Sequence, residues 1–438
     1  MAKRPSLFIF LILDYNKVMF KKTVLKNGLR IITVPQKGTQ AVTVLVLAGT
    51  GSKYERKEIS GISHLLEHLL FKGTKKRPDQ VSISKPLDAV GGMYNAFTGE
   101  DYTGYYAKVD GSYFNLALDV MSDIYLNSKL EEKEIQKEKG VVLEEINMYY
   151  DHPSSYVQSL WTRVLYGDQP AGWDIAGTKE SVLGIKRKQL LDYIKTQYTA
   201  GNTIVCMAGN IPKNAEARVK KAFSKISTRK VVEKTPVVDE QDNPHCLVNY
   251  KDTDQTHFCL GVRGYDVFHP DKITLEVLGL ILGGMMSSRL FIEVREKLSL
   301  AYYVRTSVSS DADAGFLVTS AGVDNTRVDK AIIAILKEYK KISEEKISPA
   351  ELKKAKDHFK GKMALLFEAS DAQASFYGVQ ELLEKKILTP KEIYVKINKV
   401  SVNDILRVSK DVFKTEKLNL ALIGPFKDKA NFQKLLKL

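Results

Sequence analysis

The pattern of apolar and polar positions divides the chain into a series of strands and helices that occurs twice. Strands are predicted where apolar residues alternate or run together over about four to eight positions, and helices where they recur every three or four. The first half is predicted to contain strands at 29–35 and 41–48, a helix around His64, a strand pair around 93–109 and a helix at 112–128. The second half is predicted to contain a strand at 255–262, a helix at 273–282 ended by Gly283 and Gly284, a strand pair opening at 299–305 and a helix at 328–342.

The two series have the same order and are separated by about 210 residues, which a duplicated domain explains better than one large domain. The predicted fold class is α+β, with two homologous α/β sandwich domains, each an antiparallel-rich sheet covered by helices. The predicted boundaries are 19–230 for the first domain and 250–438 for the second. The segment 231–249 is rich in charge and carries two prolines, and it is predicted to be the linker.

The first 18 residues do not fit either domain. Their apolar run at 7–13 is too short to span a bilayer and is at the lower limit for a signal peptide, and no small-residue cleavage site follows it. We therefore expect residues 1–18 to be a disordered or non-native extension, with translation starting at Met19 instead of Met1.

Composition narrows the class of protein. The net charge is +14, from 66 basic and 52 acidic residues, but lysines alternate with glutamates along the helices, which is typical of a solvated surface and does not indicate nucleic-acid binding. The three cysteines have no paired spacing and indicate a reducing compartment. A bacterial cytosol is expected, with an organellar matrix as the alternative, and no membrane span. Cys246 and Cys259, each close to a histidine, are interpreted as core residues, not as a second metal site.

His64-Leu-Leu-Glu67-His68 is the strongest chemical motif in the chain. Residues at i and i+4 share one helical face, so the two imidazoles can bind one metal ion from the same side. Catalytic zinc usually takes three protein ligands and keeps one position open. Glu67 lies beside the histidines, close enough to contact a water there. The alternative is an amphipathic helix with two incidental histidines.

An acidic helix at 131–148 offers the missing ligand. Glu138 and Glu145 are two helical turns apart on one face, and Glu145 is expected to point inward together with Val141 and Val142. Glu144 is rotated away by about 100° and should be solvated. Geometry thus favours Glu145 as the third ligand and Glu138 as a carboxylate that hydrogen-bonds a ligand. The alternative is a charged surface helix.

The stretch from Gly61 to Thr74, together with a glutamate 77 positions after His68, resembles the pitrilysin (inverzincin) zinc metallopeptidases. This family includes insulin-degrading enzyme, the mitochondrial processing peptidase and bacterial processing-peptidase-like proteases. The resemblance implies one Zn²⁺ per chain. It also implies that the metal ligands are His64, His68 and Glu145, that Glu67 is the general base and that Glu138 is an accessory catalytic acid.

Two further segments carry the resemblance. Residues 91–98 resemble the substrate-binding edge strand of the family, which implies substrate contacts by Tyr94, Asn95, Ala96 and Phe97. Arg295 and Tyr302 resemble an Arg/Tyr pair that contacts the scissile carbonyl, and these side chains can donate hydrogen bonds to a developing oxyanion. Without the zinc motif, an arginine and a tyrosine seven residues apart would be interpreted as surface and packing residues.

Family members with four such domains close like a clamshell, and this chain has half that length. The resemblance therefore implies a dimer, in which His64 of one chain faces Arg295 and Tyr302 of the other. The partner would be a second copy or a related chain. The function implied is a zinc-dependent endopeptidase that hydrolyses peptides or unfolded polypeptide segments in an enclosed chamber. The alternatives are a non-catalytic subunit of a processing-peptidase-like complex and a basic scaffold, for which no nucleic-acid or membrane motif is present.

Overall fold

The structure is a computed structural model that describes residues 19–438. The expectations for residues 1–18 lie outside the described residues. Between residues 19 and 438, no helix has both the length and the apolar character needed to cross a membrane.

Six strands form a sheet in the first half, in the order β1-β2-β6-β3-β5-β4. Only β2 and β6 run parallel; the other neighbours are antiparallel. The strands are Lys21–Val24 (β1), Arg30–Pro35 (β2), Ala41–Ala48 (β3), Met93–Thr98 (β4), Thr103–Asp110 (β5) and Thr203–Gly209 (β6). Strand β4 lies at the edge and has a strand partner on one side only.

Five strands form the second sheet, in the order β7-β11-β8-β10-β9. These strands are His245–Tyr250 (β7), Gln255–Arg263 (β8), Ala301–Ser310 (β9), Gly315–Asp324 (β10) and Leu418–Gly424 (β11). Here too one pair, β7 with β11, is parallel. The pairing repeats that of the first sheet without β1, which confirms the prediction of two α+β domains with related architecture. The segment 231–249 ends in β7, because residues 245–249 pair with β11.

Helices cover both sheets. The first half of the chain contains Ile62–Leu70 (α1), Gln80–Asp88 (α2), Phe114–Asn127 (α3), Glu132–Asp151 (α4), Pro153–Tyr166 (α5), Lys179–Gly184 (α6), Arg187–Gln197 (α7) and Ala215–Ala222 (α8). The second half contains Lys272–Gly283 (α9), a π-helical turn at Phe291–Lys297, Val328–Glu344 (α10), Pro349–Leu366 (α11), Ser370–Leu383 (α12), Pro390–Lys399 (α13), Val402–Val412 (α14) and Ala430–Leu435 (α15).

Each sheet is covered on one face by a helix from the other half. Ala374 and Tyr377 of α12 are buried against Leu45 and Cys206 of the first sheet. Conversely, α5 buries Trp161 and its neighbours against β8, β10 and β11 of the second sheet. Burying a large apolar side chain stabilises the fold by about 1.5–3 kcal/mol, so these exchanged helices hold the two halves together. Neither sheet is covered by helices of its own half alone.

A buried ionic cluster also joins the halves. Lys53 is 1% exposed, and its Nζ lies 2.7 Å from Asp311, 3.5 Å from Asp313 and 3.6 Å from Asp101. Lys234 adds a second cation, with its Nζ 3.0 Å from Asp101 and 2.5 Å from Asp313. The cluster thus connects the turn before α1 and the β4–β5 turn to the β9–β10 hairpin of the second half.

Candidate metal centre and active site

The start of α1 is fixed by groups outside the helix. Gly61 has φ +89°, and a Cβ there would lie 2.4 Å from the carbonyl oxygen of Ala176, so only glycine fits. The carboxylate of Glu55 accepts hydrogen bonds from the N–H groups of Gly61 (2.6 Å) and Ser63 (2.8 Å). Burial raises the pKa of Glu55 to about 8, although these N–H donors oppose the shift. An acceptor at a helix N-terminus is favourable, and here it orients the helix that carries the histidines.

The histidines of α1 and one glutamate of α4 bring three metal-binding atoms together. The donor atoms of His64, His68 and Glu145 all lie within 4.8 Å of one another. Glu145 Oε2 is 3.6 Å from His64 Nε2 and 3.4 Å from His68 Nε2. Ligands held about 2.0–2.1 Å from a tetrahedral zinc ion would be about 3.3 Å apart. The spacing of the donor atoms therefore fits zinc.

Glu138 lies behind His68, two helical turns before Glu145 on α4. Its Oε2 is 3.4 Å from His68 Nδ1, and its Oε1 is 2.9 Å from Lys72 Nζ. Ligating histidines commonly direct their second ring nitrogen at a carboxylate, which fixes the tautomer and the ring orientation. Glu138 is 4% exposed and has this relation to His68.

The charges around the two imidazoles favour a cation between them. Burial lowers the pKa of His64, and the nearby His68 lowers it further. Burial also lowers the pKa of His68, but the carboxylates of Glu138 and Glu145 outweigh it and raise the value to about 9. In the described residues the buried Nδ1 of His64 has no hydrogen-bond partner. The donor set thus offers one imidazole that stays neutral and a carboxylate-lined position for positive charge, as a zinc site requires.

Glu67 is held at the side of this group by a residue that sequence reasoning missed. The hydroxyl of Thr98, the last residue of β4, donates a 2.6 Å hydrogen bond to Glu67 Oε2. Burial raises the pKa of Glu67, and the hydrogen bond from Thr98 partly opposes this. Strand alternation was the signal that could have identified it, because Tyr94, Ala96 and Thr98 share one face of β4.

The four residues predicted to contact substrate divide between the two faces of β4. Tyr94 and Ala96 pack toward α1, and the Tyr94 ring lies 6.4 Å from that of Phe71. Asn95 is exposed, and its Oδ1 accepts a hydrogen bond from the N–H of Ala96. Phe97 packs toward α12 and covers Gly104 on β5. Two of the four side chains thus lie on the face that carries the histidines.

The sequence also predicted which other side chains of α4 are buried and which are solvated. Glu144 is exposed and Val142 is fully buried, as predicted, but Val141 is 48% exposed, so its expected inward position is wrong. Val141 lies about 100° around the helix from Val142, and the buried face of α4 does not extend that far on this side.

Arg295 and Tyr302 lie in the second half, on backbone of unusual geometry. Arg295 is in the π-helical turn, and its guanidinium carbon lies 5.9 Å from the centroid of the Tyr302 ring. Tyr302 is 75% exposed and falls where the pairing of β9 with β10 skips one residue, which makes it the extra residue of a β-bulge. In residues 19–438, no hydrogen bond, ion pair or ring contact joins this pair to the histidines. Contacts among residues 19–438 therefore do not bring the pair and the metal-binding group together.

Among the described residues there is one group of three or more side chains suited to a metal, the one on α1 and α4. Cys246 and Cys259 are buried in β7 and β8, as predicted for core residues. His257, near Cys259, lies with its Nδ1 3.0 Å from the hydroxyl of Tyr303.

Known proteins share both the sequence and the fold. Residues 30–179 match the model of insulinase, peptidase family M16, and residues 184–359 match that of the peptidase M16 inactive domain. An uncharacterized zinc protease of Bacillus subtilis is 36% identical over 407 residues, covering 93% of this chain and 98% of the relative. One from Streptomyces coelicolor is 33% identical over 417 residues, covering 93% and 90%. A protease from Helicobacter pylori has a TM-score of 0.86 with 26% identity, covering 93% and 99%.

These similarities extend over nearly the whole chain, and the names of the curated relatives imply zinc as the metal. They agree with the resemblance to insulin-degrading enzyme and its relatives that the histidine motif indicated. The chain belongs to peptidase family M16, the insulinase family, and is a metalloprotease.

Proposed function

We propose that this protein is a zinc-dependent endopeptidase that hydrolyses peptides or unfolded polypeptide segments, with one Zn²⁺ per chain held by His64, His68 and Glu145. The observation that carries this proposal is the spacing of 3.4 and 3.6 Å between the Glu145 oxygen and the two imidazole nitrogens. When bound, zinc supplies a Lewis acid that polarises a carbonyl and makes water more acidic.

Glu67 acts as the general base. Its Oε2 is occupied by the Thr98 hydroxyl, which leaves Oε1 to take a proton from the attacking water. The water oxygen bonds to the carbonyl carbon, the C–N bond breaks, and Glu67 passes the proton to the departing nitrogen. Thr98 is the residue that keeps the carboxylate of Glu67 in one orientation for both transfers.

Glu138 has a positioning role in this proposal and does not act as a catalytic acid. Its two oxygens are directed at His68 and Lys72, so neither faces the substrate side of the imidazole. Burial raises the pKa of Glu138, but the hydrogen bonds and charges of His68 and Lys72 outweigh this and lower it, so the carboxylate is charged. A charged carboxylate in that position makes His68 a stronger and better oriented ligand.

The open edge of β4 is the proposed binding site for the substrate backbone. An extended peptide can add to an unpaired strand by main-chain hydrogen bonds, which require little of its sequence. Strand β4 ends at Thr98, whose side chain holds Glu67, so a peptide paired along the strand would pass beside the general base. Tyr94 and Ala96 face the same side and would contact alternate side chains of the substrate.

Arg295 and Tyr302 are proposed to act in a dimer, in which each chain supplies the pair to the metal centre of the other. The exposure of Tyr302 and the absence of contacts to the histidines within residues 19–438 support a partner as the receiver. The partner is a second copy of the chain, with a related chain as the alternative. The enclosed chamber between the two chains would then select substrates by length and shape.

Bacterial relatives and three buried free cysteines support a bacterial cytosol as the compartment.

Removal of metal is expected to abolish peptide hydrolysis, and added zinc should restore it, because the proposed reaction needs the Lewis acid that His64, His68 and Glu145 would hold. Cleavage of a quenched fluorescent peptide library by purified protein measures this before chelation, after it, and after zinc is returned. The amount of soluble protein and its circular dichroism spectrum, measured at each stage, show whether chelation has unfolded the protein. Hydrolysis that persists in metal-free protein would contradict the proposal.

Mixing two inactive chains should regenerate activity if the site is shared between subunits. A Glu67→Gln chain retains a usable Arg295 and Tyr302, and an Arg295→Ala chain retains a complete metal centre. A heterodimer of the two therefore contains one intact site, and we expect about half of the wild-type rate per dimer. Heterodimers verified by two affinity tags should show this gain, whereas each homodimer alone should not. Verified heterodimers without activity would rule out the shared site.

A further inference from the structure

The backbone that carries Arg295 and Tyr302 departs from regular geometry three times within twelve residues. It forms a π-helical turn at Phe291–Lys297, Ser299 has φ +47°, and the β-bulge at Tyr302 follows at once. A left-handed conformation is costly for a residue other than glycine, and such strain persists only where neighbouring groups hold it. The N–H groups of Leu298 and Leu300 donate to the carbonyl oxygens of Glu293 and Val294 within the segment, and a neighbouring element can add to this support.

Arg327 supplies two hydrogen bonds to this segment from another element. Its Nη1 donates to the carbonyl oxygen of Ser299 (2.7 Å) and its Nη2 to that of Leu298 (2.9 Å). A guanidinium can hold two acceptors in a fixed fork, and charged donors form stronger hydrogen bonds than neutral ones. These carbonyls follow the C-terminal end of the π-helical turn, where a positive charge is favourable. Among the described residues, no carboxylate lies within ion-pair distance of Arg327 to compete for it.

The turn that carries Arg327 is itself well anchored. The carboxylate of Asp324 accepts hydrogen bonds from the N–H and hydroxyl of Thr326, at 2.8 and 2.5 Å. The side chain of Asn325 bonds to Thr256 and to the carbonyl oxygen of Thr253, on and before β8. The guanidinium is thus presented from a short turn fixed between β10 and α10.

The first half repeats this turn without the arginine. Asp110 ends β5 as Asp324 ends β10, and its carboxylate accepts hydrogen bonds from the N–H and hydroxyl of Ser112. The helix that follows begins at Phe114, as α10 begins at Val328. The position of Arg327 is taken by Tyr113, which is exposed. The arginine therefore occurs in the half that contains Arg295 and Tyr302, although the turn itself does not need it.

We propose that Arg327 is a positioning residue for catalysis: it holds the turn at Leu298 and Ser299 so that Arg295 and Tyr302 face the substrate together. This rests on the proposed role of that pair in hydrolysis. Without the guanidinium, the carbonyls of Leu298 and Ser299 lose their charged donors, and the backbone can relax toward a common conformation. A displacement of about 1 Å in a catalytic group can cost about 100-fold in rate.

Arg327→Gln is expected to lower kcat by about 10–100-fold with a smaller change in KM, because the pair acts on the transition state. Arg327→Lys, which keeps the charge but loses the fork, should retain an intermediate kcat. In a Tyr302→Phe background, Arg327→Gln should cost clearly less than in the wild type, since one of the two groups that it positions is already lost. Lys330→Gln, which removes an exposed charge one turn further along α10, is the matched control and should leave kcat unchanged.

Hydrogen exchange gives a readout that does not depend on activity. In Arg327→Gln the amides of 298–302 should exchange faster, while those of α1 and α4 should not. An equal loss of kcat in both backgrounds, or unchanged kcat and exchange, would overturn the positioning role. If Tyr302→Phe alone has no effect on kcat, the proposed role of the Arg/Tyr pair fails, and the exchange rates still report whether Arg327 holds the turn.

Discussion

Glu67→Gln is expected to lower kcat by about 10²–10⁴-fold while zinc stays bound. The amide has nearly the shape of the carboxylate and can still accept the hydrogen bond from Thr98, but it cannot take a proton from water. None of the three donor atoms of the candidate metal site belongs to Glu67, so the substitution removes the proposed base and leaves the proposed ligands. Steady-state hydrolysis of a fluorescent peptide gives kcat, and metal analysis of the same sample gives the zinc content.

Glu144→Gln is the matched control, because it removes the same charge from an exposed position next to the proposed ligand Glu145. It should retain both activity and zinc. Activity of Glu67→Gln close to that of the wild type would show that another group takes the proton. Loss of zinc with loss of activity would show instead that Glu67 contributes to metal binding, and the assignment of general base would fail.

The parts of this site that could be predicted from sequence are those that depend on position within one helix. The i, i+4 spacing of His64 and His68 fixes their common face, and the spacing of seven between Glu138 and Glu145 does the same on α4. The order of strands and helices was likewise predictable, because each element has its own apolar period and its own breaker residues. The strands predicted at 29–35, 41–48, 93–109, 255–262 and 299–305 are present, whereas β1, β6 and β11 were not predicted and β7 begins within the predicted linker.

Contacts between distant elements could not be predicted in this way. Lys72 and Glu138 form an ion pair, and Thr98 and Glu67 a hydrogen bond, only after α4 and β4 have packed on either side of α1. An amphipathic pattern shows that one face of a helix is buried, but not which sheet it packs against. The exchange of α5 and α12 between the halves therefore could not be predicted from the sequence. Val141 was mispredicted for a related reason, since the width of a buried face depends on what packs against it.

The irregular backbone near Arg295 and Tyr302 could not be predicted from the sequence either. A π-helical turn and a β-bulge have no strong composition of their own, and Ser299 is not a residue type that favours the left-handed conformation. Such features are common at functional sites because tertiary contacts hold them in place. Sequence resemblance identified the two side chains, whereas the support from Arg327 required the structure.

Lys53→Met is expected to lower the free energy of unfolding by about 3–5 kcal/mol. Lys53 is almost completely buried, and burial lowers its pKa, but the surrounding carboxylates outweigh this and raise it, so the side chain is charged in the fold. Methionine fills the space of the lysine stem and leaves Asp101, Asp311 and Asp313 without their central cation. Because Lys234 still pairs with two of them, the lower end of this range is expected.

Chemical denaturation at pH 7 measures this loss, and Lys57→Met is the matched control. Lys57 pairs with Asp168, but the two side chains are 66% and 67% exposed, so its removal should cost at most about 1 kcal/mol. A difference of less than about 1 kcal/mol between the two variants would mean that the buried cluster does not stabilise the junction. Adding Asp311→Asn to Lys53→Met should recover part of the stability, because it removes one of the unpaired charges. Lys53 is two residues before Glu55, whose carboxylate holds the start of α1, the helix with the two histidines. Loss of the cluster should therefore also weaken zinc binding in the folded protein.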